Sequence, residues 1–459
     1  MDTGSVTIVR RVTASTEPLL ERATRRADTA SGIARSLTFA VRCWKMSGRF
    51  SFNWGDWPQG IERAADEGRN PVNKSKQRTI RFLGVLAITC GLACGVAFGA
   101  EGTKASTFRP GELWPDNHGV HINAHGGGIL LYGGTYYWFG EHKIAGPRGN
   151  SAMVGVHCYS SRDLYNWTDE GIALPVSQDP KSDIVAGSII ERPKVIYNAK
   201  TGKFVMWFHL EPKGAGYEGA LTGVAVSGRV TGPYAFVRSL RTAAGSWPLN
   251  MPKDMRTGPL PSVPIPQGSK PWMEANLNGA IVRRDFPGGQ MSRDMNLFVD
   301  DDGAAYHITA SEENGTLHIS ELSADYLGFS GRWGRAFPGA HNEAPAVFKH
   351  DGRYYMISSG CTGWNPNAAR SAVADSILGE WRALGNPSRG TPAENETTFE
   401  SQSTYVLPVA GKPGAFIFMA DRWRPSNPID GRYIWLPVRW EDGKPVVHWL
   451  KEWSLAEFK

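Results

Sequence analysis

The sequence has few cysteines, no long amphipathic helical pattern and no basic patch after its first 81 residues. Five cysteines occur among its 459 residues. Because three of them precede residue 100, only Cys158 and Cys361 remain in the body of the chain, and the sequence leaves open whether they pair. No long amphipathic helical pattern is visible. The formal net charge of +6 comes partly from the Arg- and Lys-rich first 81 residues, and no basic patch typical of a nucleic-acid site follows them. The chain is therefore expected to have no nucleic-acid partner.

Tryptophan, glycine and proline, in contrast, are abundant. The chain contains 17 Trp, 53 Gly and 30 Pro. This composition suits many short strands joined by tight turns, with aromatic surfaces for binding sugars. One large all-β domain of roughly 300 residues or more is compatible with the length. We predict such a domain over residues 105–459.

The first 100 residues are expected to lie outside that domain. Residues 1–73 lack sustained apolar periodicity and are predicted to be disordered, or to come from a wrongly assigned translation start. Residues 74–100 join a basic segment to the apolar run Phe82–Phe98, as in a secretory signal peptide. An uncleaved anchor is the alternative, although 17 apolar residues are short for a membrane span. The signal predicts a secreted or periplasmic protein with no stable membrane insertion after its removal.

One pattern occurs five times after residue 108. A polar residue opens an apolar strand, a turn containing glycine follows, and a second apolar or aromatic strand returns. The second and fourth copies share a Glu-x-Pro-x-Val opening, at Glu191 and Glu343. Five hairpins predict an all-β, five-bladed β-propeller whose innermost strands line a central channel. A Pro-rich segment at about 240–276 is predicted to be an inserted loop.

The residues that open the five copies are the first candidates for a functional site. In a propeller they come together at one mouth of the central axis; they are His125, Glu191, Asp294, Glu343 and Gln402. Carboxylates held close together push their proton affinities apart, which keeps one carboxyl group protonated near neutral pH. One histidine is not a metal site, and the acidic run at 300–303 is typical of a hairpin turn rather than a calcium loop. We therefore predict an acid–base site with neither metal nor cofactor.

Several stretches resemble glycoside hydrolase family 43, in particular its exo-β-1,3-galactanase branch. They sample nearly the whole chain after the signal: INAHGGGILLYGGTYYWFGE (122–141), ERPKVIYN (191–198), SRDMNLF (292–298), EAPAVF (343–348), GCTGWNPN (360–367) and SQSTYVLP (401–408). The resemblance implies a five-bladed propeller and an inverting glycosidase. In such an enzyme a carboxylic acid protonates the departing oxygen, and a base activates water on the opposite face of the sugar.

The resemblance also implies roles for the opening residues. Glu343 matches the general acid, Asp294 the residue that tunes the acid's pKa and holds the sugar, and Glu191 a ligand of a sugar hydroxyl. Most of the family has an aspartate base at the start of the first blade, whereas this sequence has Asn123-Ala124-His125 there. The galactanase branch shares that absence and is thought to use a glutamine, in a tautomer that accepts a proton, where this chain has Gln402.

Two alternatives for the base stay open at this point. A neutral amide is a poor base, so Gln402 either acts through such a tautomer or only positions the water. Glu400, two residues away, is the other candidate.

The remaining candidates are implied contacts to the sugar. Besides the opening residues they are Glu141, Tyr217, Asn314, Thr362 and Trp364. Aromatic faces stack on the apolar faces of sugars, which favours Trp364, and core packing is its alternative role.

We expect a monomeric, secreted glycosidase that releases terminal galactose from a β-1,3-galactan-type polysaccharide. α-L-Arabinofuranosidase or β-xylosidase activity on the same fold is the first alternative, because one differently placed side chain changes the preference for the sugar. A non-catalytic carbohydrate-binding propeller is the second, because the usual aspartate base is missing.

Overall fold

Two-residue turns close two of the five inner hairpins, at 133–134 and at 351–352. Gly133 and Gly134 have φ of 57° and 76°, and Asp351 and Gly352 have φ of 47° and 74°. Positive φ at both central residues belongs to a type I′ turn, whose twist matches that of the paired strands. In all five sheets the opening strand pairs with the strand that follows it in the chain, as the sequence predicts.

The computed structural model describes residues 104–261 and 265–459. In it the hairpins grow into antiparallel sheets of four consecutive strands. The first blade contains β1 (His125–Tyr132), β2 (Thr135–His142), β3 (Gly155–Ser161) and β4 (Thr168–Pro175). The second contains β5 (Ile189–Asn198), β6 (Lys203–Glu211), β7 (Leu221–Ser227) and β8 (Ala235–Leu240). The third contains β9 (Met295–Val299), β10 (Ala305–Ser311), β11 (Thr316–Leu322) and β12 (Phe329–Ala336).

The last two blades follow the same order. The fourth contains β13 (Asn342–His350), β14 (Arg353–Gly360), β15 (Arg370–Ala374) and β16 (Arg382–Gly385). The fifth contains β18 (Gln402–Pro408), β19 (Phe416–Arg422), β20 (Arg432–Glu441) and β21 (Lys444–His448), and its outer edge pairs in parallel with the short β17 (Ser388–Arg389). The helices are α1 (Lys270–Leu277), α2 (Ala280–Asp285) and α3 (Pro392–Thr397), with 3₁₀ turns at Lys253–Arg256, Pro428–Asp430 and Leu455–Glu457.

The five opening strands form a closed ring. Strand β1 contacts β5, β5 contacts β9, β9 contacts β13, β13 contacts β18, and β18 contacts β1. The two ends of the domain meet on the outside, where Phe108 and Trp453 exchange backbone hydrogen bonds of 2.7 and 3.1 Å. The predicted five-bladed propeller is confirmed. Its topology brings the starts of all five inner strands to one mouth of the axis.

Tryptophans fill the junction between the fifth and first blades. Trp435 on β20 lies 4.8 Å from Trp138 on β2 and 4.9 Å from Trp114, measured between ring centroids. Trp138 also packs edge-on against Trp167 at 5.3 Å. Such aromatic pairs contribute about 0.5–1.5 kcal/mol each beyond the area they bury. Many of the 17 tryptophans of the sequence therefore hold blades together rather than contact a ligand.

The inner strands of three blades begin with the same backbone irregularity. Gly126, Arg192 and Ala344 each follow an opening residue, and they have φ of 60°, 53° and 53°. At each place the register with the second strand shifts. A bulge re-aims the side chains beside it and leaves a backbone N–H unpaired, which explains why proline is tolerated next at positions 193 and 345. The shared Glu-x-Pro-x-Val motif is thus a bulge that presents a glutamate.

The segment at 240–276 is not entirely a loop, and that part of the prediction is wrong. It contains a 3₁₀ turn at Lys253–Arg256 and most of α1. Ser269 caps α1 by accepting a hydrogen bond from the Trp272 backbone N–H at 3.3 Å, and a proline occupies the first turn. Proline suits that position because its missing N–H needs no partner there. One of the several prolines that suggested a loop, Pro271, therefore lies in the first turn of a helix.

Several predictions concern other parts of the chain. Cys158 and Cys361 are both free thiols, so they do not pair. Within residues 104–261 and 265–459, no helix is long and apolar enough to cross a bilayer. The predictions for residues 1–73 and 74–100 lie outside the described residues.

Candidate active site

A pocket of about 300 Å³ opens at the mouth where the inner strands begin. Every blade contributes to it, either through an opening residue or through the loop that follows the second strand. It is lined by Glu141, Asn150, Glu191, Arg192, Tyr217, Gln267, Asp294, Asn314, His341, Glu343, Cys361, Gly363, Trp364, Gln402 and Trp423. Eight of the ten predicted site residues are in this set, and His125 and Thr362 are not.

His125 does not line the pocket, contrary to the prediction. Its side chain is fully buried and stacks on Tyr433, with 5.4 Å between ring centroids. The first blade reaches the pocket through Glu141 instead, which is paired with His125 across the β1–β2 ladder. A Cβ atom at Gly126 would lie 2.2 Å from Glu141 Oε1, so the glycine leaves the room that this carboxylate occupies.

Thr362 also lies outside the lining. Its hydroxyl donates a 2.5 Å hydrogen bond to the Asn365 carbonyl and so closes the turn that carries it. The next two residues, Gly363 and Trp364, line the pocket instead. Trp364 is 41% exposed and packs edge-on against Trp423 at 5.9 Å, so it presents an aromatic face rather than filling a core.

Glu343 lies at the start of β13, deep in the pocket. Gln402 Nε2 donates a 2.8 Å hydrogen bond to Glu343 Oε1. Burial, assisted by the negative charge of Asp294, raises the pKa of Glu343 to about 8, although the charge of Arg192 opposes the shift. Glu343 is therefore protonated at neutral pH and can donate that proton.

Arg192 connects three blades at the floor of the pocket. Its Nη2 donates to Asp294 Oδ2 at 2.8 Å and to Gln402 Oε1 at 2.5 Å, and its Nη1 donates to the Ser403 carbonyl at 2.8 Å. The guanidinium lies 5.7 Å from the centre of the Trp423 ring. A planar fork of donors suits this task because it holds several acceptors in fixed directions.

Glu191 is held as a carboxylate by three donors. Its Oε1 accepts from the Tyr217 hydroxyl at 2.7 Å and from Asn150 Nδ2 at 3.1 Å, and its Oε2 accepts from His209 Nδ1 at 2.9 Å. Burial alone would raise its pKa, but the hydrogen bond and charge of His209 outweigh burial and lower the pKa of Glu191 to about 2. The pocket thus pairs an ionised carboxylate with the protonated Glu343.

Glu141 is another carboxyl group that lines the pocket. Its Oε1 accepts a 2.9 Å hydrogen bond from the Arg192 backbone N–H, and it forms an ion pair with Lys143. Burial raises the pKa of Glu141, whereas the charge of Lys143 lowers it. The pKa of Glu141 is raised on balance, so this carboxyl group binds a proton more readily than a free glutamate does.

One cluster in the described part of the chain has the composition of a metal site. The ligand atoms of Glu191, His209 and Asp294 all lie within 4.8 Å of one another. However, both ring nitrogens of His209 face carboxylates, at Glu191 and Glu211. Burial opposes the charged ring, but these hydrogen bonds outweigh it and raise the pKa of His209 to about 9. The ring is an imidazolium that donates both protons and has no lone pair for a metal.

Sequence reasoning missed seven lining residues: Asn150, Arg192, Gln267, His341, Cys361, Gly363 and Trp423. Arg192, Cys361 and Gly363 lie inside the stretches 191–198 and 360–367, which resemble family 43, so the sequence does contain a signal for them. Trp423 directly follows β19, and Gln267 comes from the inserted segment, where no local pattern marks them. The alternative base Glu400 lies outside the lining, with a side chain that is 64% exposed and paired with Arg422.

Comparisons with known proteins show the family and the fold of the chain. The sequence model of glycosyl hydrolases family 43 matches residues 269–445. A family 43 β-1,3-galactosidase solved with galactodeoxynojirimycin is 54% identical, with a TM-score of 0.72 over 76% of this chain and 100% of that one. An exo-β-1,3-galactanase from Phanerochaete chrysosporium solved with galactose is 32% identical, with a TM-score of 0.60 over 76% of this chain and 68% of that one.

Two further proteins are similar to the chain. An exo-β-1,3-galactanase from Clostridium thermocellum is 33% identical, with a TM-score of 0.60 over 76% of this chain and 66% of that one. A levanbiose-producing levanase from Geobacillus stearothermophilus is 34% identical over 61 residues, which are 13% of this chain. The chain spans only 15% of the length of that curated relative.

Proposed function

The chain belongs to glycoside hydrolase family 43, and we propose that it hydrolyses terminal galactose from a β-1,3-galactan-type polysaccharide with inversion at the anomeric carbon. The observation that carries this proposal is the pairing, in one pocket, of Glu343 as a protonated acid with Glu191, a carboxylate whose pKa is lowered. The choice of sugar is supported by the β-1,3-galactosidases and galactanases to which the chain is similar.

In the proposed reaction Glu343 gives its proton to the glycosidic oxygen as the bond to the anomeric carbon breaks. Asp294, paired with Arg192, keeps the pKa of Glu343 high through its negative charge. Glu191 and Glu141 accept hydrogen bonds from sugar hydroxyls, and Trp364 offers an apolar face. Water attacks the opposite face of the sugar, and a single displacement of this kind inverts the anomeric configuration.

The size of the pocket supports action on a chain end. About 300 Å³ is at the small end of the range for ligand sites, so the pocket suits one terminal sugar better than an internal stretch of polymer. The inserted segment contributes Gln267 to the wall of the pocket. Trp272 of α1 packs against the lining residue His341, with 5.0 Å between the ring centroids. The insertion therefore shapes this rim.

Product analysis tests the proposed substrate. We expect the enzyme to release only galactose from β-1,3-galactan, and the first product seen by proton NMR to be the α-anomer. Release of arabinose or xylose from arabinosyl or xylosyl substrates, without galactose release, would support the alternative activities. Binding of galactan without turnover would support a carbohydrate-binding propeller instead.

The pH dependence of the reaction follows from the pKa of Glu343. The protonated form is the active one, so the rate is retained below a pKa of about 8 and lost as the pH rises through it. We expect kcat/KM to fall about tenfold per pH unit above that value. A profile flat to pH 10 would contradict the assignment of Glu343 as the acid. Stability across the same pH range, measured by thermal unfolding, is the control.

We also propose that the protein is exported as a monomer and lies in the periplasm or outside the cell. The support for export is the basic and then apolar pattern of residues 74–100.

A further inference from the structure

Asn314 belongs to a short turn whose backbone is left-handed at three successive residues. The turn joins β10 to β11, and Glu312, Glu313 and Asn314 have φ of 51°, 60° and 61°. This conformation is unfavourable for residues with a Cβ atom, and asparagine is one of the few that adopt it readily. The two glutamates therefore need neighbours that hold the backbone in place.

Glu312 fixes the base of the turn. Its carboxylate is fully buried and accepts from Arg335 Nε and Nη2 and from His318 Nε2, each at 2.7 Å. Burial alone would raise its pKa, but Arg335 and His318 outweigh burial and lower the pKa of Glu312 to about 2. Arg335 Nη2 also donates to the Asn276 carbonyl oxygen at 2.5 Å, which ties the turn to α1.

Glu313 is held by a second ion pair, with α2. Arg284 Nη1 donates to Glu313 Oε1 at 2.8 Å, and Arg284 Nε and Nη2 donate to the two oxygens of Asp285 at 2.7 and 2.8 Å. The side chains of Arg284 and Glu313 are 14% and 18% exposed, so water screens this pair less than it screens a surface pair. Because Ile281 and Val282 are fully buried, α2 is a firm support.

Asn314 extends the turn into the pocket, which it lines. Within the described residues, Asn314 Oδ1 is buried and has no hydrogen-bond partner. A buried acceptor without a partner is costly, so a sugar hydroxyl that donates to it is bound favourably. The Asn314 carbonyl oxygen lies 3.9 Å from the sulfur of Cys361, which contacts Glu343. The amide is therefore close to the acid.

We propose that Glu313, held by Arg284, is a positioning residue that keeps the Asn314 amide in place for a sugar hydroxyl. Glu313 is not among the residues that line the pocket, so it acts through its neighbour rather than on the substrate. The connection between the second and third blades, which contains α2, thereby supports catalysis without supplying a reacting group. This inference rests on the proposed function, because a sugar is the ligand that Asn314 receives.

A double-mutant cycle on β-1,3-galactobiose tests whether Glu313 acts through Asn314. Asn314→Ala removes the acceptor, and we expect it to lower kcat/KM about 100-fold. Glu313→Ala frees the turn, and we expect a loss of about tenfold because a small misplacement of a binding group reduces the rate. In the double variant the loss should stay at about 100-fold, because the position of an absent amide no longer matters.

Two results of the cycle would overturn the proposal. Additive losses, about 1000-fold in the double variant, would mean that Glu313 affects the rate by another route. Wild-type kinetics for Glu313→Ala would mean that the turn needs no such anchor. Glu441→Ala is the matched control, because it breaks an ion pair with Arg389 of 3.3 Å outside the pocket lining. Its kinetics should equal those of the wild type.

A second variant separates positioning from stability. Glycine adopts the left-handed conformation without strain, so Glu313→Gly should unfold near the wild-type midpoint. Arg284 keeps its hydrogen bonds to Asp285, so no buried charge loses its last partner. The turn nevertheless loses its anchor, and we expect kcat/KM to fall about tenfold. A lower unfolding midpoint with wild-type activity would make the ion pair purely structural and contradict the proposal.

Failure of the proposed function would be visible in the wild type alone. If the wild type released no galactose from β-1,3-galactobiose, the same cycle would be measured on the arabinosyl or xylosyl substrate that it cleaves. If it bound galactan without turnover, the cycle would be measured on the dissociation constant for galactan. In either case non-additive effects of Glu313→Ala and Asn314→Ala support the positioning role, and additive effects overturn it.

Discussion

Replacing Glu343 by glutamine is expected to lower kcat/KM on β-1,3-galactobiose about 10³-fold. The substitution keeps the shape of the side chain and its contact with Gln402, but it removes the transferable proton. General acid catalysis contributes about 10²–10⁴-fold to rates, and a disaccharide with a poor leaving group should show a large part of it. Steady-state kinetics on galactobiose and on 2,4-dinitrophenyl β-galactoside measure the effect. The loss should be far smaller on the second substrate, which departs without a proton.

Glu400→Gln is the matched control, because the Glu400 side chain is 64% exposed and lies outside the pocket. Its kinetics should equal those of the wild type. If Glu343→Gln retained a tenth or more of the activity on galactobiose, Glu343 would not be the acid. Its unfolding midpoint should stay near the wild-type value, because no buried charge loses its partner.

Replacing Glu191 by glutamine is expected to reduce both activity and stability. All three partners of the Glu191 carboxylate donate, and glutamine offers only one oxygen to them. Its NH₂ group must therefore face one of the donors, and an unsatisfied buried donor costs about 1–3 kcal/mol. Misplacement of a sugar-binding group by about 1 Å can cost about 10²-fold in rate. We expect kcat/KM to fall about 10²-fold, together with a lower unfolding midpoint.

Glu218→Gln provides the comparison, because it makes the same chemical change at an exposed residue of the same loop as Tyr217. It should alter neither quantity. The Glu191 interpretation would be wrong if the variant matched the wild type in both the kinetic and the thermal measurement. A loss of stability without a loss of activity would limit Glu191 to a structural role through His209.

The local part of the fold was predictable because it depends on neighbours in the chain. The two glycines of the turn at 133–134 and the Asp-Gly turn at 351–352 specify hairpins within a few residues. Repetition of such units five times indicates the number of blades. The inserted segment was the exception, because Pro271 is compatible with both a loop and the first turn of a helix, and only the packing of α1 decides between them.

The candidate site was predictable in its composition but not in its geometry. The repeat and the family resemblance together named eight residues that line the pocket. Neither indicated that Gly126 makes room for Glu141, or that His125 is buried against Tyr433. Both arrangements depend on which side chains fit together once β1 and β2 have paired.

By itself, then, the sequence determined the hairpins, their number and the polar residues that open them, since these follow from backbone preferences and alternation over about ten residues. The tertiary structure alone decided how those residues act on one another. Arg192 and Gln402 are 210 positions apart in the chain, and Gln402 and Glu343 are 59 apart. Their hydrogen bonds exist only because closure of the ring brings different blades together, and burial there sets which carboxyl group keeps its proton.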